Sequence, residues 1–312
     1  MRHWWKYEIS KTKHETHEYE NLGIYFGLLT HKYSQYSKTP FIELFEKASE
    51  FGQAIKLDVK NSIAQDNPFS PTDVKLMDLL LARIYEPVLH RRWADYLVSK
   101  KTSKANKSNL RIVFNFFLYC QHLTRSDFRA KERKRYSRIL NINSGYMNLL
   151  ADFLNSGTPV GLIFEDDANF DSSRDLIFTL FDLVKFAQSV SAPSHFIDVS
   201  DSFSFQELGA QHLVILPEPT EEQNKFLGSS IYKTLKPFTN TTCAIIYNRN
   251  MASIILAGVK NFSSIPGKRI IPMDWTFNLI LLELESSNIQ VESFHLDPGI
   301  FPQNSLAHLK EK

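Results

Sequence analysis

SGYMNLLADFLNSGTPVGLIFEDDANF, residues 144–170, decides the fold. The first half, from Gly145 to Gly157, spaces its apolar residues as one face of a helix that ends at the glycine. A short polar break follows, and then Pro159 to Phe164 form an apolar run of strand length. That run passes directly into Glu165, Asp166 and Asp167, with no Lys or Arg beside them. Water at an exposed turn, the N-terminus of the next helix, or a divalent cation can each balance such a charge, and the choice among them determines the chemistry.

Downstream the helix and strand patterns alternate. RDLIFTLFDLVKFAQSV predicts a helix with Leu176, Leu180, Leu183, Val184 and Ala187 on one face. HFIDVS, HLVIL and TTCAIIY predict short strands, and NRNMASIILAGVKNF and DWTFNLILLELESS predict helices. Strands alternating with helices imply an α/β sheet covered on both faces. Upstream, NLGIYFGLLTHKY predicts a strand ending near His31. FIELFEKASEFGQAIKL predicts a helix from Phe41, and PTDVKLMDLLLARIYEPVLHRRWADYLVSK a helix kinked or divided at Pro87. KKTSKANKSN, residues 100–109, reads as an exposed loop or linker between a mainly helical N-terminal region, 1–105, and an α/β catalytic domain, 106–312; the first region either contributes to that domain or stands apart from it. RIVFNFFLYC from Arg111 reads as a buried strand, and the basic run from Arg125 as a solvated helix face or an anion- or membrane-facing surface.

The totals set the class. The 312 residues are 43% hydrophobic and 22% charged, enough for a large core in one or two domains. A formal charge of +2 predicts no nucleic-acid or membrane partner from the totals, leaving a local concentration of basic residues as the one source of either. Cys120 and Cys243 lack metal-ligand spacing and read as buried free thiols of a reducing compartment. No segment has the length of a bilayer span and MRHWWKYEISK lacks a signal-peptide core, so the expected location is cytoplasmic. The phosphate-binding loops, the nucleophile elbow and the H-E-x-x-H metal motif are all missing.

In open α/β sheets, ligands bind outside the carboxyl ends of the strands. Glu165, Asp166 and Asp167 project there. Hard cations such as Mg²⁺ bind through one or two carboxylates together with substrate phosphates. A strand ending in Asp-Asp therefore suits a metal on a diphosphate, while acidic residues at a solvated turn remain the alternative.

The same segment resembles glycosyltransferase family 25, in which a helix precedes an apolar strand ending Leu-Glu-Asp-Asp. Four further pieces follow in matching order. HFIDVSD from His195 is similar to a strand carrying Trp-Asp, and TTCAIIYNRNMASIIL from Thr241 to a strand and helix. IPMDW at Ile271 is similar to a Pro-x-Asp element, and DPGIFPQNS from Asp297 to a closing Pro, Gln and Ser. The likeness covers roughly residues 144–308, and the family's opening strand with its Arg-rich turn has no clear counterpart.

The resemblance implies a GT-A fold, a Rossmann-type mixed sheet flanked by helices, and a metal-dependent, inverting sugar transfer. The donor is a nucleotide sugar and the acceptor a glycan or glycolipid hydroxyl in bacterial lipopolysaccharide, lipooligosaccharide or capsule assembly, at the inner face of the membrane. Mn²⁺ or Mg²⁺ would sit on Asp166, Asp167 and His308, with Glu165 and Asp166 on the donor. Asp274 would be the base, and Trp275, Gln303 and Ser305 would meet the acceptor. Each has a plainer reading: a helix N-cap for Asp274, core packing for Trp275, ordinary hydrogen bonding for His295 and His308. A non-catalytic interaction protein on this fold and a metal-dependent phosphoryl or nucleotidyl transferase are the rival functions.

Overall fold

The structure is a computed structural model. It describes residues 22–31, 38–50, 55–64, 124–170, 173–208, 213–215, 228–239, 241–264 and 271–304, with 113, 116, 117, 120, 121, 210, 225 and 226. Strands β1 (Leu22–His31), β2 (Ile55–Ala64) and β3 (Val160–Glu165) run parallel, β1 in the middle. β9 (Ala244–Asn248) lies antiparallel between β3 and β4 (His195–Asp198). β10 (Glu292–Asp297) runs parallel to β4, and β8 (Ser229–Thr234) runs antiparallel to β10. Two-residue strands β6 (Val214–Ile215) and β7 (Lys225–Phe226) both pair with β8, completing a nine-stranded mixed sheet. A separate small sheet joins β5 (Ser200–Asp201) to β11 (Phe301–Pro302).

Side chains alternate across a strand, and each face has its own helices. Ile24, Phe26 and Leu28 of β1, with Leu162 and Phe164 of β3, pack in one cluster with α1 (Thr39–Ser49) and α3 (Arg174–Ser189). Phe41, Phe45, Leu180 and Val184 supply the helical side. Tyr25, Leu29, Ile163 and Tyr247 point the other way, into α2 (Ser126–Ser156), α5 (Arg249–Ser264) and α6 (Met273–Ser286). A further helix, α4 (Phe205–Leu208), is a single turn. The α/β sheet covered on both faces is thus present.

α2 ends where the sequence requires. Gly157 adopts φ 76°, the left-handed conformation favoured at a helix C-terminus. The chain then turns into β3, which lies flat on α2 because Gly161 has no side chain: a Cβ there would come within 2.8 Å of the Phe153 ring. Gly161→Val is expected to destabilise the fold by about 1–3 kcal/mol, the usual cost of overpacking, measured as a lower denaturation midpoint at unchanged slope.

Three expectations are corrected. The helix from Phe41 stops at Ser49, and Ile55–Leu57 begin β2 instead. The alternation of Ile55, Leu57 and Val59 is a strand period that follows the helix too closely to stand out from it. The expected strand from Arg111 is helical at Val113, Phe116, Phe117 and Cys120. Their i, i+3, i+4, i+7 spacing outweighs the β-rich composition. Val113, Phe116 and Phe117 are each more than half exposed, and Cys120 is exposed where a buried thiol was expected. Cys243 is buried as expected.

β1 and β2 belong to the same sheet as β3, so the N-terminal region supplies two strands beside the acidic strand. The proposed helix around Pro87, the cluster His90–Arg92 and the linker 100–109 lie outside the described residues, as do Trp4 and Trp5. In the basic run, Lys131, Lys134, Arg135 and Arg138 are exposed on α2. Arg125 pairs with Asp127 at 2.7 Å, both largely in solvent, a pair that adds little stability. Among the described residues no helix is long and apolar enough to cross a membrane.

Candidate active site

β1 has β2 on one side and β3 on the other, so the chain leaves β1 in one direction and returns in the opposite one. The crevice between the carboxyl ends of β1 and β3 is therefore a topological switch point, where open α/β sheets bind ligands. Thr30 is the next-to-last residue of β1 there, and Glu165 closes β3. The Thr30 hydroxyl donates to Asp166 Oδ2 at 3.0 Å, tying the two strand ends together.

The acidic turn is held from a second direction by the C-terminal segment. Asn169 N donates to the Pro302 carbonyl and Asn304 N to the Asp167 carbonyl, each at 2.7 Å, and Ala168 bridges Gln303. Gln303 fixes the Asp167 side chain, its Nε2 donating to Oδ2 at 2.9 Å, while its own Oε1 accepts from Ser202 at 3.0 Å. Asp167 is only 8% exposed. Glu165 accepts a short hydrogen bond from Thr242. Burial first, then the neighbouring Asp167 charge, pushes its carboxyl up to about 8.

A cleft of about 360 Å³ opens beside this turn. Glu165, Asp274, Thr241, Thr242, Gln303 and Asn143 give it a polar side, and Ile139, Ile142, Phe203, Pro272 and Met273 an apolar one. None of these is Lys, Arg or His. Asp274 does not cap its helix: α6 has Pro272 at the cap position, and Asp274 follows in the first turn with its side chain on the cleft. Pro272 fixes the entry of the chain, and the carboxylate favours the positive end of the helix dipole.

Glu165, Asp274 and Gln303 are thus gathered on one cleft. Asp166 and Asp167 stand next to Glu165 on the turn that follows β3. Trp275 packs against the α2–α5–α6 core and does not line the cleft, which fits the core-packing reading of that residue. Ser305 and His308 lie outside the described residues.

His295 is buried, and its Nε2 donates to the Phe238 carbonyl at 2.8 Å. Its ring lies against Phe238, with centroids 4.5 Å apart. Burial lowers its pKa despite Asp198 Oδ2 at 3.8 Å, so it serves as a neutral hydrogen-bonding residue. Asp198, in the strand matched to Trp-Asp, is 1% exposed. It accepts from Ser200 N at 3.1 Å, from the Ser200 hydroxyl, and from Thr239 Oγ1 at 2.9 Å. Its oxygens are spent on joining β4 to the loop before β9.

The donor set around Asp166 and Asp167 is oxygen: two carboxylates with a hydroxyl and an amide behind them. The Cys243 thiol is 3.8 Å from Asp167 Oδ1, but burial raises its pKa well above the ordinary value and keeps it protonated. Among the described residues no three His, Cys, Asp or Glu side chains converge as a metal cage. Two carboxylates completed by ligand phosphates are what Mg²⁺ uses, so these residues fit a hard cation delivered with its phosphate. Thr30, Thr241, Thr242 and Phe203 were not singled out from the sequence. The only signals for them are a hydroxyl at the end of an apolar strand and the polar run before TTCAIIY.

No protein-family model matches the chain, and no curated protein shows significant similarity to it. Fold and site geometry therefore carry the functional reading, with the ordered motif resemblance beside them.

Proposed function

We propose that the protein is a metal-dependent glycosyltransferase of the GT-A type, moving a sugar from a nucleotide-sugar donor to a glycan or glycolipid hydroxyl. One observation carries this: Glu165 and Asp274, from a strand end and a helix start, line one cleft beside the Asp166–Asp167 turn at a topological switch point, without a cationic side chain among the described lining residues. A diphosphate entering such a cleft needs a cation of its own. The bacterial surface-glycan acceptor comes from the resemblance alone. The exposed Val113, Phe116 and Phe117, close in sequence to the basic start of α2, are where we place a peripheral membrane contact.

Asp166 and Asp167 would hold Mn²⁺ or Mg²⁺, which when bound offsets the charge that builds on the departing nucleoside diphosphate. Thr30 and Gln303 orient the two carboxylates. Asp274 takes the proton of the acceptor hydroxyl as that oxygen bonds to C1 of the sugar and the C1–O bond to phosphate breaks. Glu165, oriented by Thr242, offers a carboxyl to the donor.

The test is a panel of nucleotide sugars incubated with the full chain, Mn²⁺ or Mg²⁺ and chelator controls, following release of free nucleotide. Metal-dependent release with the sugar transferred or hydrolysed is the expected result. Release of phosphate or pyrophosphate instead would favour a phosphoryl or nucleotidyl transferase. Absence of both turnover and metal-dependent nucleotide binding would favour an interaction protein.

A further inference from the structure

We infer that Ser202 is a positioning residue for the metal ligand Asp167: its buried hydroxyl holds the Gln303 amide in the orientation that donates to the Asp167 carboxylate. The inference rests on the transferase reading and deepens it by naming what sets that carboxylate in place. Ser202 is 1% exposed and is not among the described residues that line the cleft, whereas Gln303 is. Any effect of Ser202 on a ligand must therefore pass through Gln303.

Backbone pairing brings the two side chains together. β5 and β11 run parallel, with Ser200 opposite Phe301 and Asp201 opposite Pro302. Ser202 and Gln303 are the next residues on each chain, so they leave the small sheet side by side, and Gln303 goes on to bridge Ala168 on the acidic turn. The Ser202 hydroxyl donates to Gln303 Oε1 at 3.0 Å, and Gln303 Nε2 donates to Asp167 Oδ2 at 2.9 Å. The amide is a strut between the small sheet and the turn.

The protons on this path can be assigned one by one. A primary amide fills the same space when turned by 180°, and only its partners decide between the two orientations. A carboxylate accepts and never donates, so Asp167 selects the orientation with the NH₂ on its side. Ser202 then faces Oε1 and must give its single proton to it. In the contact between the Ser202 and Thr241 hydroxyls, 3.1 Å apart, Thr241 is therefore the donor. Thr241 also accepts from Cys243 N at 3.2 Å, which uses a lone pair and leaves that proton available. On its other side the Ser200 hydroxyl, 3.3 Å away, gives its own proton to the buried Asp198 and cannot compete as a donor. The bonds from Thr241 through Ser202 and Gln303 to Asp167 all point one way, and aligned hydrogen bonds polarise one another. Without the Ser202 hydroxyl, Oε1 loses its donor, and the amide is free to turn its oxygen toward Asp167 Oδ2, acceptor against acceptor.

The experiment has two readouts on the full chain. The Gln303 side-chain amide is followed by ¹H–¹⁵N NMR without metal, its signals assigned by their loss in Gln303→Ala, and Mn²⁺ is titrated calorimetrically together with UDP, GDP, ADP or CDP. In Ser202→Ala the amide signals should move to the positions of a solvated glutamine. Affinity for the Mn²⁺–nucleotide that binds the native chain should fall about tenfold, the usual scale for removing a group that orients a metal ligand. Ser202→Cys, close in shape but a weaker donor, should lie between the native chain and Ser202→Ala in both readouts. Because Ser202 acts through Gln303, adding Ser202→Ala to Gln303→Ala should cost no further affinity; independent structural roles would make the two losses add. Native amide signals in a folded Ser202→Ala, native affinity in that variant, or additive losses in the double variant each overturns the inference and leaves the metal reading in place. Should Ser202→Ala not fold, the first two outcomes are read on Ser202→Cys. If the amide responds but the native chain binds none of the Mn²⁺–nucleotides, the metal reading falls alone, since the amide reports the hold on Asp167 without metal.

Discussion

Asp167→Asn is expected to reduce metal-dependent nucleotide-sugar turnover by about a hundredfold or more, the scale of losing one strong electrostatic contributor, while leaving the fold intact. The side chain is nearly isosteric, and its carbonyl can still accept from Gln303 Nε2, now 2.9 Å from Oδ2. The charge is what disappears. In the native chain the Asp167 charge lies against Glu165 and helps push the Glu165 carboxyl up, so neutralising Asp167 should not lower the melting temperature in chelator. With metal and nucleoside diphosphate, the native protein should melt higher by linkage, about 2.7 kcal/mol at a hundred times the dissociation constant. The variant should lose that increment. If turnover and the metal-dependent shift both survive, Asp167 is no metal ligand. A large drop in melting temperature in chelator would make its bond to Gln303 its main role.

Periodicity carried the individual elements much further than their arrangement. α3 was legible because Leu176, Leu180, Leu183, Val184 and Ala187 all fall on the buried face. β1 and β3 were legible as apolar runs of strand length, and Gly157 as a helix end. β2 and the helical residues at 113–120 were not. In the first, an alternating strand adjoins a helix; in the second, aromatic and β-branched composition argued against helical spacing. The sheet order is a matter of long-range pairing, which no local window contains.

The site shows the same division. Glu165, Asp166 and Asp167 announce themselves as charge without a partner, and Asp274 and Gln303 through the order of motif-like pieces. What joins them was hidden. Thr30 and Asp166 are 136 residues apart, as are Gln303 and Asp167, and Thr242 is 77 residues from Glu165. A threonine at a strand end carries no mark of the carboxylate it will meet. Phe203 could not be told from a core aromatic, because exposure follows from the tertiary fold. Trp275 was the more conspicuous aromatic, and packing against the core took it away from the cleft.

Asp274→Asn is expected to separate binding from chemistry. If Asp274 is the base, transfer should fall by about a hundredfold or more, while metal-dependent binding of nucleoside diphosphate stays nearly unchanged, since Asp166 and Asp167 are untouched. The position makes this a clean substitution. α6 takes its cap from Pro272, Thr276 N donates to the Pro272 carbonyl at 2.9 Å, and Asn278 Nδ2 donates to the Asp274 carbonyl, not to its side chain. Those bonds survive the change. The variant gives up the interaction of a negative charge with the helix N-terminus, about 0.3–1 kcal/mol, together with the repulsion between that charge and Glu165. Isothermal titration with nucleoside diphosphate and metal, run beside the transfer assay, reads both quantities. If affinity falls in step with turnover, Asp274 belongs to the donor or metal side of the cleft. If turnover persists and only the melting temperature moves, its carboxylate serves the helix dipole, and the base must be sought elsewhere on the cleft wall, with Glu165 the other carboxyl that faces it.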